Sequence, residues 1–280
     1  MILVTGATGH VGRELVPQLL QAGYDVRVLV RDPGKVAALD PSVQRAVGDL
    51  DRPETLAPAV AGVESVFLVT FHNQQDTAVL AAARAAGVRR IVKLSTLESG
   101  DSGRRIGQLS RERERLIEAS GLEWTFLRPG MFMTNTIQWW GDAIRRQGAV
   151  YFPGGTTSQV APIDPADIAA VAALALTRPG HAGQAYALTG AQLLTMGEMV
   201  AAIGTALGKP LTYTDVPPEA AAQGVRQAGM DENRVKAVTE LLAALRQNAG
   251  AHLTDTFERL TGRAPRTFAA WCQAHADAFR

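Results

Sequence analysis

Cysteine, net charge and long apolar runs are scarce in this 280-residue sequence. Its single cysteine, Cys272, excludes an intrachain disulfide framework and a cysteine-rich metal site, so we expect no metal and a reducing, cytoplasmic setting. The formal net charge of +1 gives no reason to expect a nucleic-acid partner or an anionic membrane surface. No apolar run approaches the ~20 residues that span a bilayer, and Met1 opens no signal-peptide pattern.

The first half of the sequence alternates short apolar runs with amphipathic segments. The order of helix, glycine and strand occurs three times there, which predicts βαβ crossovers and a doubly wound parallel sheet with helices on both faces. The pattern predicts strands at 2–5, 25–30, 43–47, 65–69, 89–95 and 123–127, and helices at 11–22, 74–86 and 109–120.

The pattern loosens after about residue 129. Asp164 before Pro165 predicts a helix start, and Thr195 with Glu198 predicts a capping box. Short strands are predicted at 185–188 and 211–216. We predict a nucleotide-binding domain over 1–130 and a smaller, discontinuous α+β substrate lobe over 131–280, interleaved with it. Ligands would bind in a cleft over the carboxyl ends of the strands.

The turn after the first predicted strand has the spacing G-x-x-G-x-x-G. Gly6 permits a tight turn, Gly9 lets the backbone approach a pyrophosphate, and Gly12 permits close helix–strand packing. The following helix N-terminus offers N–H groups to phosphates. In this context the turn predicts a Rossmann-like dinucleotide site rather than a merely flexible loop. The residues expected to contact the dinucleotide there are Gly6, Thr8, Gly9, His10 and Val11.

The end of the second strand indicates which dinucleotide binds. NAD enzymes usually place a carboxylate there to hold the ribose 2′-OH, whereas this sequence has Arg31 and then Lys35. A guanidinium pairs with a 2′-phosphate that a carboxylate would repel, so we expect NADP(H). Asp32 is an acidic neighbour, which we interpret as the N-cap of a short helix beginning at Pro33.

The ends of the third and fourth strands supply further cofactor contacts. Asp49 and Leu50 follow the third strand, where Asp49 either accepts a hydrogen bond from the adenine amine or simply closes a turn. Val69, Thr70 and Phe71 end the fourth strand and are expected beside the ribose next to nicotinamide.

These segments resemble the NmrA-like group of atypical short-chain dehydrogenases/reductases, which includes bacterial NAD(P)H:quinone oxidoreductases of the second type. The resemblance covers nearly the whole chain, and ILVTGATGHVG (2–12) and AARAAGVRRIVKLST (82–96) are its most specific stretches. It implies an NADP(H)-binding fold and reduction of a small conjugated or aromatic compound; some members only sense redox state. Further matching stretches are VLVRDPGK, GDLDRPETL, SGLEWTFLRPGMFMTN, PIDPADIAAVAALAL and AYALTGAQLLTMGEMVAAIGTALGKPLTY.

The sequence has no Tyr-x-x-x-Lys pair, which ordinary short-chain reductases use to exchange a proton. Ser110 and Glu114 stand where that pair is expected. We interpret Glu112, Glu114 and the surrounding arginines as a solvated helix face. Hydride transfer itself needs only a held nicotinamide and an electrophile in near-attack geometry.

Three residues near strand ends are candidates for catalysis. His72 would donate a proton unless it is simply solvated. Ser95, with Thr96 beside it, would orient substrate or cofactor, or its hydroxyl completes the strand end. Lys93 lies inside a strand, where burial is costly without a partner, so it would reach the cofactor or a carboxylate.

The segment after the sixth strand is rich in aromatic residues. The backbone at Pro129 should pass the nicotinamide, with Phe132 against one ring face. The alternative to an aromatic substrate pocket is ordinary packing between lobes. The residues expected around a flat substrate are Phe71, His72, Met131, Phe132, Asn135, Trp139 and Trp140.

Three functions fit this sequence. The first is an NADPH-dependent reductase of a small quinone-like or polyketide-like molecule, for which little enzymatic protonation is needed. The second is a redox-sensing NADP(H)-binding protein that docks a partner, and the third is a redox-neutral isomerase or cyclase. Monomer and homodimer are both open.

Overall fold

The strands of the protein are short, and those in the middle of its main sheet are buried on both faces. The computed structural model describes residues 1–100, 103–227, 229 and 232–280. Numbered along the chain, the strands are β1 Ile2–Thr5, β2 Val26–Val30, β3 Gln44–Val47, β4 Ser65–Leu68, β5 Arg90–Leu94, β6 Glu123–Pro129, β7 Ala149–Phe152, β8 Gln159–Val160, β9 Gln184–Leu188, β10 Leu194–Thr195 and β11 Thr212–Asp215.

The main sheet has the strand order β3-β2-β1-β4-β5-β6-β9. Ile2 of β1 lies opposite Val26 of β2 on one side and opposite Ser65 of β4 on the other, both in parallel register. β2 and β3 lie on one side of β1, and the strands that follow them in the chain lie on the other side. The strand order therefore reverses between β1 and β4, and a ligand crevice is expected at the carboxyl ends of these two strands. The predicted doubly wound parallel fold is confirmed.

The helices cover the two faces of this sheet. In one apolar cluster, Leu3 and Phe126 of the strands pack with Val79 and Ile117 of two helices. Two other helices are joined by a hydrogen bond from the Gln18 side chain to the carbonyl of Ala166. None of the helices in the described residues is long and apolar enough to cross a bilayer. The helices are α1 Gly12–Gln21, α2 Ala57–Val60, α3 Asn73–Ala85, α4 Arg105–Glu118, α5 Asn135–Gln147, α6 Pro165–Thr177, α7 Met196–Leu207, α8 Pro218–Gln227, α9 Glu232–Arg246, α10 Thr256–Thr261 and α11 Phe268–Ala274.

The chain forms two compact units. The first comprises Met1–Gly103, Gly107–Pro129 and Pro165–Ala187, and the second comprises Arg104–Ile106, Gly130–Asp164 and Leu188–Arg280. The first unit thus takes up α6 and most of β9, although our sequence boundary assigns everything after 130 to a substrate lobe. Gly183 N donates to Trp124 O (2.8 Å) and Gly130 N donates to Leu188 O (3.0 Å), so β9 extends the sheet beside β6. The functional assignment of the two parts stays a prediction.

The second unit has its own apolar core and small strand pairs. β11 pairs in parallel with β7, and β10 pairs antiparallel with β8. The predicted capping box at the start of α7 is present, with Thr195 and Glu198 each bonded to the other's backbone. Trp140, Trp271 and Cys272 are buried in this core. Burial raises the pKa of the Cys272 thiol to about 12.

Candidate functional site

The glycine-rich turn has the geometry of a phosphate cradle. Gly6 has a φ of +66°, and Gly9 N donates to Gly6 O at 2.9 Å. A Cβ on Gly12 would lie 2.2 Å from Gly6 O, so no side chain fits where α1 begins. Burial, with a smaller contribution from Arg13, lowers the pKa of His10. Because the backbone is this close, the N–H groups at the start of α1 can face a pyrophosphate directly.

The end of β2 presents basic groups to solvent. Arg31 and Lys35 are exposed, while the Asp32 carboxylate accepts from Gly34 N at 2.9 Å. The predicted N-cap role of Asp32 is confirmed, with Pro33 in the first turn of the 3₁₀ helix. The Asp32 carboxylate is thus engaged locally, and the contact of Arg31 and Lys35 with a 2′-phosphate stays a prediction.

The residues after β3 form a turn closed by side chains. The Asp49 carboxylate accepts from Asp51 N at 3.1 Å, and Thr55 Oγ1 bonds the Asp49 backbone. Leu50 is half-buried against the core of the first unit. The structure therefore contains the turn that we considered for Asp49. A contact between Asp49 and adenine stays a prediction.

The end of β4 is tied to β1 by a hydroxyl. Thr5 Oγ1 donates to Phe67 O at 3.1 Å and accepts from Val69 N at 2.7 Å. A Cβ built on Gly6 would lie 3.3 Å from the Val69 side chain, so the turn and the end of β4 approach closely. This brings the predicted cofactor residues at 6–11 and 69–71 to one edge of the sheet.

His72 and Phe71 follow β4 on the surface. Phe71 is 79% exposed, and its N–H donates to Gln75 Oε1 at 2.8 Å. His72 Nε2 lies 2.8 Å from Asp51 Oδ1, which also accepts from Gln75 at 2.9 Å. His72 is thus held by a carboxylate from the turn after β3, a partner that sequence analysis did not identify. A proton-donating role for His72 stays a prediction.

Lys93 is buried beneath the end of β4. Its Nζ lies 3.0 Å from Asp76 Oδ1 and 2.5 Å from Thr70 Oγ1, and the Thr70 hydroxyl donates to the same carboxylate oxygen at 2.7 Å. Burial lowers the pKa of Lys93, whereas the charge and hydrogen bond of Asp76 oppose that shift. The carboxylate partner expected for Lys93 is present, and it holds the Thr70 hydroxyl in place. Asp76 lies in the polar first turn of α3, where no sequence signal marks it as the partner of Lys93.

Ser95 lies above a second buried charge. Its Oγ donates to Glu114 Oε1 at 2.6 Å, and Arg128 donates to both oxygens of the same carboxylate at 3.0 and 2.6 Å. Glu114 is fully buried, so our interpretation of it as part of a solvated helix face is wrong. Burial raises the pKa of Glu114, but the hydrogen bonds from Arg128 and Ser95 outweigh this, and the pKa lies below its usual value.

The aromatic segment after β6 belongs to the second unit, apart from Pro129 at the buried strand end. Met131 and Met133 exchange backbone hydrogen bonds with Ile163. Phe132, Met131 and Asn135 are half-buried. Trp139 is 45% exposed and stacks on Phe152 with ring centroids 5.5 Å apart, whereas Trp140 is buried and meets the same ring edge-on. Trp140 therefore packs in the core, and Trp139 is the tryptophan that faces outward.

The family of the chain follows from its similarity to known proteins. A profile of NAD(P)H-binding proteins matches residues 6–179. The chain belongs to this NAD(P)H-binding family. An NAD(P)H azoreductase of Xenophilus azovorans is 41% identical, and a (4-alkanoyl-5-oxo-2,5-dihydrofuran-3-yl)methyl phosphate reductase of Streptomyces griseus is 40% identical; each alignment covers 100% of this chain and 99% of the relative.

A solved structure supports the same relationship. The NADPH-dependent quinone oxidoreductase of Escherichia coli, complexed with NADPH, has a TM-score of 0.86 to this chain at 26% identity, with 98% of this chain and 99% of that chain covered. The resemblance to NmrA-like atypical short-chain dehydrogenases/reductases is confirmed. The geometry of the chain fits the cofactor of this NAD(P)H-binding family, because a Cβ at Gly12 would collide with Gly6 O and only glycine lets the turn pack this closely against the start of α1.

Proposed function

We propose that the protein is an NADPH-dependent reductase that delivers hydride to a small conjugated or aromatic acceptor, such as a quinone or an azo compound. The observation that carries the proposal is the similarity over the full length to two relatives named as reductases, at 41% and 40% identity. The glycine-rich turn between β1 and α1 supports it, because a Cβ at Gly12 would collide with Gly6 O and the compact turn depends on that glycine.

A preference for NADPH over NADH is part of the proposal. Arg31 and Lys35 are exposed at the end of β2, and the carboxylate of Asp32 is engaged by Gly34 N. The segment from Arg31 to Lys35 carries two cations and one carboxylate, Asp32, so its formal charge is positive. Such a group attracts a 2′-phosphate through charge-assisted hydrogen bonds.

The chemistry needs little from the protein beyond positioning. When bound, the dinucleotide supplies a hydride, which turns a quinone into a hydroquinone anion that takes its proton from water. At the positions of the usual Tyr-x-x-x-Lys pair, Ser110 Oγ accepts from Arg113 and Glu114 is held as an anion by Arg128. Glu114 therefore offers no proton to the substrate. A quinone needs no enzymatic acid at the moment of hydride transfer, and for an acceptor that does need one, such as an azo compound, His72 is the proposed donor.

The substrate contacts are proposed from exposed aromatic groups. Trp139 presents a ring face that stacks on Phe152, and Phe71 is largely exposed at the end of β4. Flat aromatic molecules stack favourably on such faces. Within the second unit, we propose that Met131, Phe132, Asn135 and Trp139 contact the acceptor.

The test is a titration with NADPH and NADH, followed by quinone, enone, imine and azo acceptors monitored at the nicotinamide absorbance. We expect tight NADPH binding, weak NADH binding and acceptor-dependent oxidation. Tight binding without oxidation by any acceptor would favour the redox-sensing protein. Conversion of a substrate with no net loss of NADPH would favour the isomerase or cyclase.

We also propose where the protein is located and how its assembly state can be determined. The single cysteine suits a reducing compartment, and we propose the cytoplasm. Light scattering at two protein concentrations would separate the monomer from the homodimer.

A further inference from the structure

The direction of one hydrogen bond determines what Ser95 can offer a ligand. The hydroxyl has a single proton, and its shortest contact is the Glu114 carboxylate at 2.6 Å. In the described part of the chain, the other hydroxyl near Ser95 Oγ is Ser99, at 3.3 Å. The Ser99 proton has two closer acceptors, Thr96 O at 2.7 Å and Glu114 at 2.9 Å. The proton of Ser95 therefore points inward, and a lone pair of its oxygen is left for a ligand.

Glu114 is fixed as the acceptor in this contact. Its Oε2 faces the guanidinium groups of Arg128 and Arg111, at 2.6 and 3.4 Å. Its Oε1 receives Ser95, Ser99 and the Nε of Arg128. A carboxylate surrounded by donors in this way has no reason to carry a proton, so it cannot reverse the Ser95 hydrogen bond.

Ser95 lies on the side of the sheet where the nicotinamide half is expected. It follows β5, which is two strand positions from β1, or about 10 Å along the sheet. The basic residues for the adenosine 2′-phosphate lie on the opposite side, at the end of β2, and the phosphate cradle lies between them. Ser95 is half-buried, so part of it remains accessible.

We propose that Glu114 is a positioning residue that holds Ser95 as a hydrogen-bond acceptor for the nicotinamide half of the dinucleotide. The donor on the ligand is the carboxamide N–H or a hydroxyl of the adjacent ribose. The inference rests on the dinucleotide binding of the proposed function and is independent of which acceptor is reduced. It implies that Ser95 does not polarise a substrate carbonyl, because its proton is already committed.

The experiment measures NADPH affinity by fluorescence in Ser95→Ala, Glu114→Gln and the double variant. Loss of the acceptor in Ser95→Ala should weaken binding about five-fold, as expected for one hydrogen bond. In Glu114→Gln the amide nitrogen takes the Oε1 position, because Oε1 faces two hydroxyls that can turn and one guanidinium nitrogen, whereas Oε2 faces two guanidinium groups. It then donates to Ser95 and turns the serine proton outward, so binding should weaken about ten-fold. The double variant should match Ser95→Ala, because Glu114 acts through Ser95.

Glu118→Gln is the matched control. Glu118 lies on the same helix and pairs with Arg111 at 2.8 Å, but it makes no bond to Ser95 within the described residues, so NADPH affinity should be unchanged. Additive losses in the double variant would show that Glu114 is merely structural and would overturn the proposal. Unchanged NADPH affinity in Ser95→Ala would also overturn it, even if the KM of an acceptor rose.

A ligand-side comparison keeps the proposal testable if Glu114→Gln does not fold. NADP⁺ and its 3-acetylpyridine analogue, which lacks the carboxamide N–H, are titrated into the wild type and Ser95→Ala. A preference for NADP⁺ that Ser95→Ala removes would identify the carboxamide as the donor. If Ser95→Ala lowered the affinity for both ligands equally, the donor would be a ribose hydroxyl. If it lowered the affinity for neither ligand, the proposal would be contradicted. These readouts need no turnover, so an inactive acceptor panel would contradict the proposed function alone.

Discussion

The charged residues discussed above are exposed on one side of β1 and buried in ion pairs on the other. On the side of β2 and β3, Arg31 and Lys35 are exposed, and nearby carboxylates such as Asp32 close local turns. On the side of β4, β5 and β6, Lys93 and Glu114 are buried and paired with residues from other elements. The first arrangement can attract a phosphate from solvent. The second has no free charge to offer and instead fixes the hydroxyls of Thr70 and Ser95.

This difference separates the residues that we propose to bind the cofactor from those that we propose to position hydroxyl groups. An exposed cation contributes to affinity through the ligand alone, so its removal should leave the fold intact. A buried pair contributes to the fold and to the site together, because removing one partner leaves an uncompensated charge in the interior. Substitutions on the two sides should therefore differ in their effect on the free energy of unfolding as well as in their effect on ligand affinity.

The largest effect is expected for Lys93→Met. It leaves the Asp76 carboxylate buried without its cation, which should lower the free energy of unfolding by about 3–5 kcal/mol, measured by urea denaturation. Arg146→Met is the matched control, because its pair with Asp142 is exposed, and it should cost less than about 1 kcal/mol. Equal stabilities of the two variants would show that the buried pair contributes no more to the fold than an exposed pair does.

Gly12→Ala should have the next largest effect, on binding. Its Cβ would lie 2.2 Å from Gly6 O, so the phosphate turn must shift. We expect NADPH affinity to fall about 100-fold, which corresponds to about 2.7 kcal/mol. Gly224→Ala is the control, since a Cβ there meets nothing within 4 Å and a helical alanine is favourable. Unchanged affinity in Gly12→Ala would show that the turn is not the phosphate site.

The Glu114 pair should make stability depend on pH in the acidic range. The pKa of Glu114 is lowered in the folded protein, so its contribution is present above the unfolded value of about 4.3 and is lost as pH falls through the folded value. The wild type should exceed Glu114→Gln by about 1.5–3 kcal/mol at neutral pH. Urea denaturation between pH 7 and pH 3 should show this gap narrowing below about pH 4; a constant gap would contradict the assignment of an anion.

Arg31→Ala should have the smallest effect and the most selective one. NADPH affinity should fall about ten-fold, or about 1.4 kcal/mol, while NADH affinity and stability stay unchanged. Arg84→Ala, at the exposed end of α3, should change neither affinity. If Arg31→Ala weakened NADH equally, the guanidinium would contact something other than the 2′-phosphate.

Sequence patterns predicted the side of β2 and β3 well because its signals are local. The turn from Gly6 to Gly12 and the cap formed by Asp32 and Pro33 each depend on residues within one short segment. The strands of the first half and its three longer helices were also predicted, with shifts at their ends; α4 begins at Arg105 rather than at residue 109, and the short α2 was missed.

The buried pairs were not predictable in the same way, because their partners lie far apart in the sequence. The run from Ser110 to Arg115 is polar throughout and reads as an exposed helix face, yet Glu114 meets Arg128 of β6. Asp76 and Lys93 likewise come from a helix and the next strand. The pairing of β9 with β6 was missed for the same reason, since the sequence of a short strand does not name its neighbour.

The single thiol has a practical consequence. Because Cys272 is buried and its pKa is raised to about 12, it carries almost no thiolate at neutral pH and should resist maleimide and iodoacetamide. A cysteine introduced at an exposed position would then react alone. Two cysteines introduced at exposed positions could therefore carry a pair of fluorophores or spin labels that reports the distance between them, without prior replacement of Cys272.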